Sequence, residues 1–418
     1  MLMLYNTMTR DKQVFTPRGG DQTVRMFSCG PSIYRPPHLG NYRSFVWQDV
    51  LQRYLEYSGF NVQRLLNFTD VEDKAIEEAQ EKGITIDDLT RPVADRFMED
   101  ASRLRITLPE FIPRSSTSVD QAARLIRVLL DKGYAYWHQN NVFFEPLKFK
   151  GFGRLFRLDI SRWPKEKRRF KKDTYRGQRW NLGDFILWHG HKPGDQVFWD
   201  TEIGRGRPSW NIQDPAIVTE HLGYTIDIAC GGVDNLYRHH DYNIAVIEAA
   251  SGKEFARFWV HGEHLLVDGR KMSKSVGNIV YPQDLMTKAC TGQHIRFYLL
   301  YGHHRRRLNF TAASFRKCSD FLEQLRASSR ELIGSGSAGD PPAGSVKKSG
   351  MRLNRLRTTF QEHMDEDLNV QGAIVALGRE LAKLVARNRA SHLSSSDRAM
   401  IAEELQQIDQ VLQVIFPK

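Results

Sequence analysis

Two short runs carry residue types suited to phosphate chemistry. The first is Pro37-His38-Leu39-Gly40-Asn41, which follows an apolar stretch and opens a helix-like one. A helix N-terminus presents free N–H groups and the positive end of the helix dipole, so it favours a phosphate. Gly40 has no Cβ and lets a flat base or a phosphate approach the backbone, while His38 and Asn41 add side-chain donors. On its own this run equally describes a capped helix in any globular protein. The second run is Lys271-Met272-Ser273-Lys274-Ser275, inside DGRKMSKSVGN. Two lysines three residues apart on a Gly-flanked loop can clamp a triphosphate and neutralise charge on departing pyrophosphate. A plain basic loop is the competing account, but a full five-residue match of this kind is improbable by chance. His38, Asn41, Lys271 and Lys274 form the expected catalytic set.

Such runs need rigid elements behind them. Residues 24–29 read as a short buried strand. Residues 40–59 place Phe45, Val46, Val50, Leu51, Tyr54 and Leu55 on one face of a helix. Residues 62–68 read as the next strand and 71–82 as the next helix. Strand, helix and strand at this spacing make a βαβ unit and predict a parallel sheet. Residues 180–300 return to mixed α/β patterning, and the pattern turns helical from about residue 293. A Gly/Ser/Pro-rich stretch at 334–350 reads as a linker. Residues 351–416 then read as two or three amphipathic helices, with 372–387 the clearest. The segment 162–179 holds nine Lys or Arg in eighteen positions; a run of like charges reads as a solvated insertion, with phosphate contact as the alternative.

Composition narrows the class. The chain has 418 residues, 41% hydrophobic and 26% charged, enough for two or three domains. No apolar run reaches the ~18 residues of a membrane span, and the N-terminus has no secretory h-region. The expectation is a cytoplasmic protein without membrane contact. Four scattered cysteines fit a reducing compartment rather than a disulfide framework. The net charge of +11 favours a polyanionic partner.

The two runs, in this order and about 230 residues apart, resemble the signature pair of class I aminoacyl-tRNA synthetases. The segments MFSCGPSIYRPPHLGNYRSF, NFTDVEDKAIEEA, GRGRPSWNIQD, IDIACGGVDNLYRHHDYNIA and VHGEHLLVDGRKMSKSVGN resemble cysteinyl-tRNA synthetases in the same order, as do RFYLLYGHHRRRLNF and MDEDLNVQGAI. The resemblance covers most of the chain. It implies an α/β fold: a Rossmann-like parallel sheet at 1–300 with a connective insertion at about 100–205. A helical region would begin at 301–333, with the linker at 334–350 and a helical domain at 351–418. It implies ATP with Mg2+, held by His38, Gly40, Asn41, Gly231, Gly232, Asp234 and Lys274. Cys29, Ser44, Asn67, Thr69 and Trp210 would line the amino-acid pocket. The implied reaction is attack of an amino-acid carboxylate on the α-phosphate of ATP, then transfer of the aminoacyl group to the 3′ end of tRNA. The basic run at 303–307 supports a tRNA acceptor end as partner.

The chain departs from the family in two places. The resemblance implies zinc in the amino-acid pocket, held by two Cys, one His and one Glu and completed by the substrate thiolate. A soft sulfur ligand on zinc outweighs a hydroxyl's contact, which separates cysteine from serine. Here Cys29 and His239 stand at the first cysteine and the histidine, but Asp214 replaces the second cysteine and Asn243 the glutamate. Three readings stay open: an altered metal site through Cys29, Asp214 and His239, no metal with a different amino acid, or shifted ligands, with Cys230 as the extra thiol. The sequence also ends soon after the helical segment, where family members continue into an anticodon-reading domain. Mycothiol cysteine ligase, which joins cysteine to an amino sugar, resembles it in length but keeps the zinc ligands. Beside tRNA charging, the alternatives are therefore a ligase for a small-molecule amine or carrier, and a non-catalytic RNA-binding relic.

Overall fold

The computed structural model describes residues 1–109, 111–162, 183–334, 346–391 and 393–417. The basic segment expected at 162–179 lies, beyond Arg162, outside the described residues, as do residues 335–345 of the expected linker. The βαβ unit forms where the sequence pattern asks for it. Strand β1 (Thr23–Ser28) leads to helix α1 (Leu39–Tyr57) and strand β2 (Asn61–Leu66), and the two strands pair in parallel from Thr23↔Asn61 to Ser28↔Leu66. All six apolar residues expected on the buried face of α1 are buried. Helix α2 (Trp210–His221), strand β3 (Ile226–Gly232), helix α3 (Asp241–Ser251) and strand β4 (Ala256–Gly262) complete the unit. The sheet order is β4-β3-β1-β2, all parallel. β3 is almost wholly buried, as expected for a parallel strand covered on both faces.

The chain leaves β1 for β2 on one side, while β3 and β4 lie on the other. The strand order therefore reverses between β1 and β3. In open α/β sheets a crevice forms at such a point, outside the carboxyl ends of the strands. Between β2 and α2 the chain builds the helix Val119–Asp131 and a five-stranded antiparallel sheet running from Ala135–His138 to Gly204–Pro208. It packs its own apolar cluster, with Phe144, Phe185 and Trp188 fully buried.

The helices Val346–Asp365, Val370–Ser391 and Ser395–Leu412 pack with Ala312–Ile333 and join the main core. Buried charge ties them to α1. Asp49 of α1 accepts from Arg296 Nη2 (2.5 Å), Arg53 Nε and the Thr107 N–H, and neither Asp49 nor Arg296 has an exposed side chain. Burial alone would raise the Asp49 carboxyl, but Arg296, Arg53 and Arg64 outweigh it and hold the group below the usual carboxylate range. Arg296 Nε also donates to the Leu412 carbonyl, Arg326 Nε to that of Val414, and Gln293 to those of Gln413 and Phe416. The Asp409 carboxylate accepts from the backbone N–H groups of Val414, Ile415 and Phe416. The C-terminal turn is thus anchored from both sides.

Part of the run at 303–307 is committed to the fold. Arg305 pairs with Asp367 and lies over the Tyr5 ring, Arg307 pairs with Glu263, and His304 is buried against Trp47. Arg306 and Arg307 are exposed, so the run is both a structural joint and a basic surface. Among the described residues no helix is long and apolar enough to cross a membrane.

Candidate active site

A cavity of about 710 Å³ opens at the switch point. Its wall includes Cys29 and Gly30 after β1, His38 at the cap of α1, Gly40, Asn41 and Ser44 on α1, Gly231 and Gly232 at the end of β3 with Asp234 beyond it, and Lys271 and Met272. Thr69 and Trp210 line it as well. The strand order thus joins segments that are far apart in sequence.

The first run caps α1 reciprocally. His38 Nδ1 accepts the Asn41 N–H (3.3 Å), and Asn41 Oδ1 accepts the His38 N–H (3.0 Å). Because Nδ1 is the acceptor, the neutral ring carries its proton on Nε2, where it can donate to a phosphate oxygen. Burial lowers the His38 pKa, with Lys271 lowering it further and Asp234 opposing. This favours the neutral ring over the cation. Gly40 lets Met272 approach: a Cβ there would stand 2.7 Å from Met272 Cε and would push that side chain away. The two runs touch through this pair, and Met272 is buried as part of the main core.

Lys271 lies on a short strand paired antiparallel with Leu265–Val267. The turn that follows is pinned inside itself. Asn278 Oδ1 accepts the Ser273 N–H (2.9 Å) and its amide donates to the Lys271 carbonyl (3.2 Å). Gly269 (φ 77°) and Gly277 (φ 67°) flank the segment in left-handed conformations that favour glycine. Lys274 begins the 3-10 turn Lys274–Val276; its side chain is outside what the structure describes. Asp234 is exposed on the turn after β3, with Oδ1 2.5 Å from where a Gly232 Cβ would be. Its carboxylate can accept hydrogen bonds from a ribose.

The other end of the cavity is different in kind. Cys29 is half-buried at the wall, and its Sγ lies 3.3 Å from His239 Nε2. The same nitrogen lies 2.8 Å from Asp214 Oδ2. Asn67 Nδ2 donates to Asp214 Oδ1 (3.0 Å), and the Gly30 N–H donates to Asn67 Oδ1 (2.9 Å). Burial and the neighbouring Asp214 carboxylate push the Cys29 thiol well up. Trp210, the first residue of α2, stacks on His239 with ring centres 4.1 Å apart. Arg238, at φ 77° and ψ −53°, makes the sharp bend that precedes His239. Strained backbone of this kind costs about 1–3 kcal/mol and clusters at functional sites. Cys29, Thr69 and Trp210 face the cavity, while Asn67, Asp214 and His239 stand behind that wall.

Three features were missed in the sequence. Gln48 lines the cavity fully buried, with neither amide atom hydrogen-bonded among the described residues. Lys74 also lines it. Behind the turn after β3, His240 Nδ1 meets His261 Nε2 (2.7 Å), and His261 Nδ1 meets Thr7 Oγ1 (2.9 Å).

The fold and the two phosphate runs across its crevice are those of a class I aminoacyl-tRNA synthetase. Methionyl-tRNA synthetase of Mycobacterium tuberculosis, solved with methionyl-adenylate, superposes with a TM-score of 0.66 at 15% identity, covering 94% of this chain and 90% of that one. Residues 15–320 match the family of tRNA synthetases class I (C) catalytic domains. The cysteine--tRNA ligase of Chlamydia pneumoniae is 36% identical over 417 residues, spanning 99% of this chain and 86% of its own. That of Protochlamydia amoebophila is 33% identical over 427 residues, with the same coverage. The chain belongs to the cysteinyl-tRNA synthetase family and is a ligase.

Proposed function

We propose that the chain condenses an amino acid with MgATP to an aminoacyl-adenylate and passes the aminoacyl group to the 3′ end of a tRNA in the cytoplasm. The observation that carries the reading is the shared cavity of His38, Gly40, Asn41, Gly231, Gly232, Asp234 and Lys271 at the switch point. The amino-acid carboxylate attacks the α-phosphate, pyrophosphate leaves, and no covalent bond to the enzyme forms. Rate comes from holding the reactants in line and from donors aimed at the growing charge. His38 Nε2–H and the α1 N-terminus serve the phosphates, Asp234 the ribose, and Lys271 with Lys274 the leaving pyrophosphate. Cysteine is the amino acid of the named relatives, and the basic charge of the chain suits tRNA.

The test is ATP–pyrophosphate exchange across the amino acids, followed by aminoacylation of total tRNA. Lys271→Ala should slow exchange by about 100-fold or more, the usual cost of removing one preorganised charge-stabilising donor. Exchange at the parent rate would remove Lys271 from the mechanism. Exchange that persists while tRNA is never charged would favour a small-molecule acceptor.

A further inference from the structure

The sequence places Asp214 and Asn243 where the family's zinc ligands stand, and the geometry shows what the replacement does. Asp214 Oδ2 lies at direct hydrogen-bond distance from His239 Nε2. An acceptor carboxylate there places the proton on Nε2, and a metal would have to displace it and break this pair. The other carboxylate oxygen holds the Asn67 amide, and Asn67 in turn holds Gly30. Asn243 offers a neutral amide, a poor zinc ligand, and its buried Oδ1 has no hydrogen-bond partner among the described residues. Cys29, His239 and His240 do bring ligand atoms within 4.8 Å of one another. But His240 is not one of the family's ligand positions and packs under Gly231 near the end of β3, where a Gly231 Cβ would meet its Cε1 at 2.5 Å; its Nδ1 is turned to His261, and its Nε2 has no partner among the described residues. Cys230 is buried on β3, with its backbone carbonyl accepting from the Cys29 N–H. The residues present do not make the family's four-ligand site.

We propose that the side-chain end of the amino-acid pocket is a metal-free hydrogen-bonding subsite built on Asp214, His239 and Cys29, and that it takes a small amino acid ending in a hydroxyl at least as well as its thiol counterpart. The inference rests on the adenylate-forming reading above. Size follows from the wall: Cys29, Thr69 and the Trp210 ring stacked on His239 close that end of the cavity. Polarity follows from the wall and what backs it: the Thr69 and Cys29 side chains face the cavity, and His239 and Asp214 stand behind Cys29. A hydroxyl both donates and accepts hydrogen bonds among such groups more strongly than a thiol, which is a weak donor and a weak acceptor. Sulfur regains the advantage only with a soft metal to bind.

The experiment has two arms on the full chain. The first measures zinc per chain in protein purified from zinc-supplemented cells, and exchange activity with and without 1,10-phenanthroline. The second compares pyrophosphate exchange with serine, cysteine and alanine. Substoichiometric zinc, no effect of the chelator, and serine at or above cysteine are expected. The double variant Asp214→Cys, Asn243→Glu should acquire about one zinc per chain and move the serine-to-cysteine kcat/KM ratio toward cysteine by about tenfold or more. One zinc per chain in the parent, or cysteine exchange abolished by the chelator, overturns the metal-free subsite. Cysteine favoured tenfold over serine in the metal-free parent overturns the hydroxyl preference. Exchange with no amino acid overturns the adenylate-forming reading and the hydroxyl preference together, while the zinc measurement still decides the metal question. Should the double variant fail to fold, the parent's zinc content and serine-to-cysteine ratio decide both parts unaided.

Discussion

At the residue scale, Gln48 of α1 lines the cavity beside the His38, Gly40 and Asn41 run, its amide buried and without a partner among the described residues. His38, Gly40 and Asn41 announce themselves because a five-residue run at a helix start is a local pattern, and local patterns survive in sequence. Gln48 does not, because it sits among Phe45, Val46, Val50 and Leu51 and reads as a polar interruption of an apolar face. Only the crevice above α1 reveals that both its amide atoms lack partners among the described residues. An unsatisfied buried amide costs about 1–3 kcal/mol. Gln48→Met should therefore raise the thermal midpoint while lowering kcat/KM for exchange, since bound substrates would supply the missing partners. A variant that gains stability and keeps full activity would show that Gln48 touches no substrate. Asp214 was legible as a replacement, but its bonds to Asn67 and His239 were not, because they join residues 147 and 25 positions apart.

At the element scale, β1, α1 and β2 fall within two residues of the bounds that periodicity gives. The five-stranded antiparallel sheet escaped notice, because its strands run from three to six residues and carry Gly and Trp rather than clean alternation. Sheet order also escaped, being a matter of which strands meet. The contact of Gly40 with Met272 is an element-scale joint between α1 and the Lys271 turn. Gly40→Ala should push Met272 away and lower kcat for exchange by at least about tenfold with little loss of stability, because the helix itself favours alanine. Steady-state kinetics and melting of the variant check both halves. The His240–His261 pair joins α3 to β4. Burial, with Arg10 adding to it, holds His261 down to about 3, and burial with His261 and His239 holds His240 well below its ordinary value. The unfolded chain protonates first, near the ordinary histidine value of about 6.5. Stability should therefore be intact above about pH 6.5 and fall on acidification toward about 3, by up to about 1.4 kcal/mol per pH unit for each histidine. Urea midpoints at falling pH measure this, and His261→Gln should flatten the slope.

At the scale of the whole molecule, the catalytic sheet and the C-terminal helices are held together by buried charge. Asp49 and Arg296 are both without exposed side chain, and Arg296 also grips Leu412. Asp49→Ala should cost about 3–5 kcal/mol, since it leaves a buried guanidinium without its anion. Denaturant unfolding would show it, and a loss under about 1 kcal/mol would mean that water reaches Arg296. The acidic run that closes the helix Val346–Asp365 adds a second joint: Asp365 takes the Met1 amino group, Glu366 pairs with Lys12, and Asp367 takes Arg305 and the Tyr5 N–H. Neither joint could be read from sequence, because the pairs lie far apart along the chain, Asp49 and Arg296 by 247 positions and Tyr5 and Asp367 by 362. The anchored C-terminal turn also has a practical use. Arg296, Arg326, Gln293 and Asp409 fix the backbone at 412–416 to the body of the protein. A fluorophore attached just beyond it would ride on a fixed mount, so energy transfer to a second dye on the Lys271 turn would report the turn's own movement during turnover.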